Sequence, residues 1–119
     1  MPVMVVYVTA SDAGEARRIG RTLVEERLAA CANIFAAMDS IYWWEGRVQE
    51  ASEAVLILKT TEPRLEALVR RVKALHSYEC PCIEAWPVTA GYAPFFDWVA
   101  QETHGSDAGP DGMGSSRQC

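Results

Sequence analysis

The chain has 119 residues, enough for one domain with a single core that buries roughly two thirds of its unfolded surface. Half its residues are hydrophobic, 23% are charged and the net charge is -5, a balance that suits a globular fold and opposes a phosphate backbone, so nucleic acid is not an expected partner. No apolar run reaches the roughly 18 to 20 residues of a membrane span, and Met1-Pro2-Val3-Met4 leads into a strand without a basic leader, so no membrane partner and a cytoplasmic address are expected.

Residues Pro2 to Thr9 carry Val3, Met4, Val5, Val6, Tyr7 and Val8 without alternation, the pattern of a central strand covered on both faces or nearly so. Ser11 or Asp12 then caps a helix, with Glu15 three residues after Asp12 as in a capping box. Ala16, Ile19, Leu23 and Val24 recur at helical spacing, opposite Arg17, Arg18, Arg21, Glu25 and Glu26, and the helix is expected to end near Ala29.

Cys31 to Trp44 reads as a strand that would reach roughly 45 Å at ~3.3 Å per residue, so a bend is required, and Asp39-Ser40 is the expected bulge. Glu45-Gly46 supplies a tight turn, and Arg47 to Thr60 returns through the apolar run Ala54-Val-Leu-Ile-Leu58. Strand alternation forbids Trp43 and Trp44 from entering one core, so one of them should be covered from outside the monomer core. Thr61 caps a second helix with Pro63 in its first turn and Leu65, Leu68, Val69 and Val72 as its buried stripe, ending near His76.

Ile83 to Val88 is a short strand, placed at an edge because Pro87 lacks a ladder donor. Pro94 to Thr103 forms a last helix with Phe95, Trp98 and Val99 inward. Residues 104–119 have the composition of a flexible tail, leaving 1–103 as the folded domain. The order β-α-β-β-α-β plus a C-terminal helix is an α+β, ferredoxin-like arrangement, an antiparallel sheet with two helices on one face and an extended central hairpin. Edge hydrogen bonds on so long a hairpin invite a second chain, so self-association is expected.

Six segments, Val6-Tyr-Val-Thr-Ala10, Leu28-Ala-Ala-Cys-Ala-Asn-Ile34, Ser40-Ile-Tyr-Trp-Trp-Glu-Gly46, Leu58-Lys-Thr-Thr61, His76-x-Tyr-Glu-x-Pro81 and Pro87-Val-Thr-x-Gly91, together resemble the CutA divalent-cation-tolerance family, in order and with spacing intact from about Val3 to Val99. The resemblance implies a homotrimer similar in architecture to the PII-type signalling proteins, a role in divalent cation tolerance, and copper or other divalent metal ions as partners. Carried over position by position, it implies an inter-subunit cleft lined by Cys31, Tyr42, Trp44, Glu45, Lys59, His76, Tyr78, Glu79 and Trp98. Some relatives have a thiol and a second histidine where this chain has Val8 and Leu75, whereas Cys80 and Cys82 replace an aliphatic residue and a glutamate.

Cys31, Cys80, Cys82 and Cys119 are too few and too unevenly spaced for a disulfide framework and are read as thiols. Cys80-Pro81-Cys82 is C-x-C, which in an extended segment projects both thiols to one side within reach of one soft ion such as Cu(I). With His76 and Cys31 they make a mixed sulfur and nitrogen ligand set; the alternative is that the cysteines serve as small hydrophobes and that His76 caps its helix. Lys59 either snorkels to water or meets Glu79 or Glu45 across a subunit boundary, with Tyr42, Trp44 and Trp98 as walls of a small-ligand site.

Three function classes follow. The first is a metal- or small-ligand-binding trimer with no catalytic residues. The second is an enzyme using a cleft Cys, His or Glu, which lacks a recognisable nucleophile and base motif. The third, an RNA binder of the same strand order, is set aside because Glu53-Ala-Val-Leu-Ile-Leu58 has no exposed stacking residue.

Overall fold

The computed structural model describes residues 2–104. In chain order the elements are β1 (Val3–Ala10), α1 (Ala13–Glu25), β2 (Cys31–Trp44), β3 (Arg47–Thr61), α2 (Glu62–Leu75), β4 (Ile83–Pro87) and α3 (Ala93–Glu102). The four strands form one antiparallel sheet in the order β2-β3-β1-β4, so the two continuous apolar runs are the two central strands and the Pro87 strand lies at an edge, as its missing donor requires.

Val6, Val8 and Ala10 of β1 and Ala54, Leu56 and Leu58 of β3 point to one side, where α1 contributes Ala16, Ile19 and Leu23 and α2 contributes Leu68 and Val72. This is the main core. The opposite pleat carries Val5, Tyr7, Ile57 and Lys59 and is only partly covered. At its Val3 end a second cluster forms where Val99, Phe95, Phe96 and Trp98 of α3 pack against Val3 and Ala30, so the inward face expected for the last helix is the observed one.

Asp12 caps α1, its Oδ1 accepting from the Glu15 amide at 2.8 Å. The helix ends earlier than Ala29: Glu26 is its C-cap and Arg27 turns left-handed with φ of 63°. That turn drops Leu28 and Ala29 into the core, which is why their apolar character imitates a continuation of the helix. Thr61 is the N-cap residue of α2, but its hydroxyl lies 3.5 Å from that of Thr103 and makes no cap bond.

The bend in β2 is also earlier than Asp39-Ser40. Phe35 pairs with Val55 and Met38 with Glu53, so Ala36 and Ala37 together oppose Ala54, while Asp39 and Ser40 pair regularly with Ser52 and Ala51. The extra residue exchanges the faces of everything beyond it. Met38, Tyr42 and Trp44 therefore share the open face with Glu53, and Ile41 and Trp43 turn to the other side. Glu45 and Gly46 close the hairpin with φ of 52° and 79°, positive at both central residues as a two-residue turn of this twist demands.

Arg47 to Glu53 pair with β2 alone, because β1 begins its pairing at Ala54; the hairpin thus projects about 23 Å beyond the rest of the sheet at ~3.3 Å per residue. On it Trp43 is 73% and Trp44 50% exposed, beside exposed Ile41, Tyr42 and Val48. Within one chain neither tryptophan is covered. The expected tail falls outside the described residues from position 105 onward.

Candidate functional site

The segment 76–82 between α2 and β4 is held to three different elements by three consecutive residues. The His76 side chain is wholly buried; its Nε2 lies 2.7 Å from the Thr9 carbonyl oxygen and its Nδ1 is 3.0 Å from the Tyr78 amide nitrogen. A carbonyl can only accept and an amide N–H can only donate, so these partners assign the neutral Nε2–H tautomer. Ser77 donates its amide to Oε2 of Glu15 at 2.7 Å. Tyr78 donates its phenol to Oε2 of Glu53 at 2.6 Å, and its ring tilts against His76 with centroids 4.6 Å apart.

Glu15 is the buried hub of this arrangement, its side chain 3% exposed. Oε1 accepts from the amide and hydroxyl of Ser11 at 2.9 and 2.8 Å, Oε2 accepts from Ser77, and Oε2 also lies 3.7 Å from His76 Nδ1. Burial alone would raise its pKa, but the hydrogen bonds from Ser11 and Ser77 outweigh it and hold the carboxyl at about 2. The capping-box spacing made Glu15 visible as a helix-start residue; its bond to Ser77 has no local signal.

Beyond Tyr78 come the two free cysteines, Cys80 and Cys82, both exposed. The Cys82 thiol is 4.0 Å from Oε1 of Glu84, and burial of the sulfur followed by the charges of Glu84 and Glu53 pushes its pKa up, partly offset by a hydrogen bond with Thr9. Tyr7 shares this environment: burial, then Cys82, Glu84 and Glu53, raise its phenol, whose hydroxyl lies 3.6 Å from Met38 Sδ. The Tyr78 phenol is also pushed up, first by burial and then by its bond to Glu53. This end of the open face is therefore electronegative and bears a thiol and a thioether. Met38, Glu53 and Glu84 carry no recognisable motif; the register past the bulge sets Met38 beside Glu53, and the pairing of β1 with β4 sets Glu84 beside Tyr7.

The expected four-ligand metal set is not assembled. His76 has both ring nitrogens engaged with the backbone and offers no lone pair to an ion. Nor does its ring reach the last carbonyls of α2; the cap there is its own backbone amide, bonded to the Lys73 carbonyl. Cys31 is buried at the start of β2, 7% exposed, where it pairs with Lys59 rather than with the 76–82 segment. Cys119 lies outside the described residues. Among the described residues no group of three or more His, Cys, Asp or Glu side chains is placed to hold a metal ion. What fits a soft cation is the pair Cys80 and Cys82, with the Glu84 carboxylate beside the second.

The expected cleft residues divide between the two ends of the molecule. Tyr42, Trp44 and Glu45 are exposed on the projecting hairpin, whereas Trp98 is half-buried on α3 at the Val3 end, its ring 5.8 Å from that of Phe95. Lys59 lies on the open face, donating to Asn33 Oδ1 at 2.6 Å, and burial lowers its pKa. Tyr78 occupies the electronegative end and Glu79 next to it is exposed. An open groove of about 520 Å³ between α1 and β2, bordered by Arg17, Arg21, Val24 and Ile34, includes none of the expected site residues except Cys31.

The profile of the CutA1 divalent ion tolerance protein family matches residues 4–102. The chain is 46% identical over 99 residues to the divalent-cation tolerance protein CutA of Thermus thermophilus, covering 83% of this chain and 96% of that one. It is 44% identical over 94 residues to the corresponding protein of Archaeoglobus fulgidus, covering 79% and 91%. It spans only 60% of the CutA 1 protein of Oryza sativa described as chloroplastic, to which it is 41% identical. Among solved structures, CutA1 from Oryza sativa superposes with a TM-score of 0.85 at 40% identity, over 89% of this chain and 97% of that chain. The Archaeoglobus fulgidus structure, described as periplasmic, gives 0.83 at 40% identity over 86% and 99%. Among the described residues no helix is long and apolar enough to cross a membrane. The linked sequence segments, the ferredoxin-like sheet with its long hairpin, and these matches agree: the chain belongs to the CutA1 divalent ion tolerance family.

Proposed function

We propose that the chain is a self-associating, cytoplasmic, non-catalytic cation tolerance protein that takes up copper or another thiophilic divalent metal ion through Cys80 and Cys82. One observation carries the metal reading: the two free thiols are exposed and one residue apart, on the segment that enters an electronegative stretch of sheet, with Glu84 at 4.0 Å from the second sulfur. Thiolates are soft donors and prefer Cu(I), while neighbouring carboxylates favour any cation over an anion. Titration of Cu(I) into the reduced full chain and into a Cys80→Ser, Cys82→Ser variant tests it. Tight uptake by the first and loss of that uptake in the second is the expected result, and equal binding by both refutes the assignment.

The homotrimer is the assembly that the family resemblance implies, and the structure lends it support in two places. The projecting hairpin exposes Ile41, Tyr42, Trp43, Trp44 and Val48 together. Furthermore, Tyr42, Trp44 and Glu45 lie at the opposite end of the chain from Trp98, so a cleft containing all of them needs a neighbouring subunit to supply one side. Such a cleft, with Lys59, Tyr78 and Glu79, would accept a small ligand.

A further inference from the structure

We infer that Glu15 is the positioning residue of the thiol-bearing segment: through Ser77 it sets where Cys80 and Cys82 stand, without touching the bound ion itself. The inference rests on the thiol reading above and adds to it a residue on another element, α1, whose side chain is directed into the protein rather than at the site.

The reasoning starts from what ties the segment down. It leaves α2 at His76 and joins the sheet at Ile83, which pairs with Val8. Between these ends the hydrogen bonds fall at the His76 ring, the Ser77 amide, the Tyr78 amide and phenol, and the Cys82 thiol, which meets Glu84 and Thr9. Cys80 and Cys82 therefore ride on a short tether between Tyr78 and Ile83, stiffened by Pro81, whose ring fixes its φ. The geometry of the two thiols depends on where Tyr78 is held at one end and, at the other, on where β4 begins and on the contacts of Cys82 with Glu84 and Thr9.

At the Tyr78 end the contacts form a chain with Glu15 at its root. The Ser77 amide bonds to a buried, charged oxygen, the stronger class of hydrogen bond, at 2.7 Å. The same carboxylate is held in place by both donors of Ser11, so its position does not depend on the segment it holds. Oε2 also faces His76 Nδ1, the atom that accepts from the Tyr78 amide, so one oxygen borders two successive anchors. Replacing it with an amide places an N–H where Ser77 or Ser11 already presents one, so the Ser77 anchor is weakened, either directly at its acceptor or through the Ser11 bonds that hold the group in place, while the ladder from β1 to β3 stays intact. A longer free tether lets the thiols separate, and an ion that needs both then pays the ordering entropy at binding. Groups that orient metal ligands typically account for about 10- to 100-fold in affinity when removed.

The test compares wild type with Glu15→Gln in the full chain, by amide hydrogen exchange and by Cu(I) titration, each repeated in a Cys82→Ser background. Selective loss of protection at Ser77 and Tyr78, with at least about tenfold weaker Cu(I) binding that disappears in the single-thiol background, is the expected result. A purely structural role would instead lower protection across β1 and β3 in proportion to global stability and weaken both backgrounds alike; either pattern overturns the inference, as does selective deprotection with unchanged affinity. If Glu15→Gln does not fold, Ser11→Ala, which removes one of the bonds holding the carboxylate, must reproduce the same pattern at smaller size or the inference fails. A wild type that takes up no Cu(I) refutes the metal reading, and the exchange pattern alone then decides whether Glu15 holds the segment.

Discussion

Replacing Glu15 with glutamine should also change how the protein responds to acid. Folding lowers the Glu15 pKa from its ordinary 4.5 to about 2, because the bonds from Ser11 and Ser77 favour the charged form more than burial opposes it. A depressed carboxylate stabilises the fold fully above its unfolded pKa and loses that contribution as pH falls through its folded pKa. At ~1.36 kcal/mol per pH unit of displacement, Glu15 contributes about 3 kcal/mol at pH 7, about 1.5 kcal/mol at pH 3, and little below pH 2. The measurement is urea unfolding of wild type and Glu15→Gln at matched protein concentration from pH 7 to pH 3, the other carboxylates cancelling in the difference. The gap between the two proteins should narrow by about 2 kcal/mol over that range. A gap that stays constant with pH would mean that Glu15 acts through shape alone and that its hydrogen bonds do not distinguish carboxylate from carboxylic acid.

Gly20 lies where α1 crosses the sheet, and a Cβ there would stand 3.0 Å from both Ala32 Cβ and Leu56 Cδ1. The helix-propensity gain of Gly20→Ala, about 1 kcal/mol, is therefore expected to be outweighed by overpacking of about 1 to 3 kcal/mol, and thermal unfolding should show a lower Tm. On the hairpin, Trp43→Ala removes a side chain that is 73% exposed in the single chain, so it should cost the subunit fold little while shifting sedimentation toward smaller species. Unchanged sedimentation at micromolar concentration would remove Trp43 from the interface.

Much of the fold is legible because the strong signals are local. The unbroken apolar runs of β1 and β3 mark central strands, Pro87 marks an edge, and Asp12 with Glu15 marks a helix start; all are found where those patterns put them. The misplaced features depend on partners distant in sequence. Leu28 and Ala29 look like more helix because they are apolar at about the right spacing, yet a left-handed Arg27 delivers them to the core instead. Ala36 and Ala37 carry no bulge signature; strand length demands a bend somewhere in β2, but its place is decided by the register against β3.

That register settles more than a bend, because it chooses the face on which half the hairpin's side chains stand. Without the extra residue at Ala36-Ala37, Tyr42 and Trp44 would point to the side of α1 and α2, and Trp43 would join Glu53 and Tyr7 on the open face. The same logic separates the candidate metal residues by legibility. Cys80 and Cys82 can be read from spacing, since a C-x-C pair needs no tertiary information to bring its sulfurs near each other. His76 cannot, because whether an imidazole is a ligand or a brace depends on what its two nitrogens meet, here the Thr9 carbonyl on β1 and the Tyr78 amide two residues on. Glu15 is the extreme case, a residue recognisable from its own helix whose second oxygen serves an amide 62 positions away. A buried carboxylate that accepts from two segments ties them together whatever either one binds, so the site's rigidity is carried by residues that its chemistry would never have singled out.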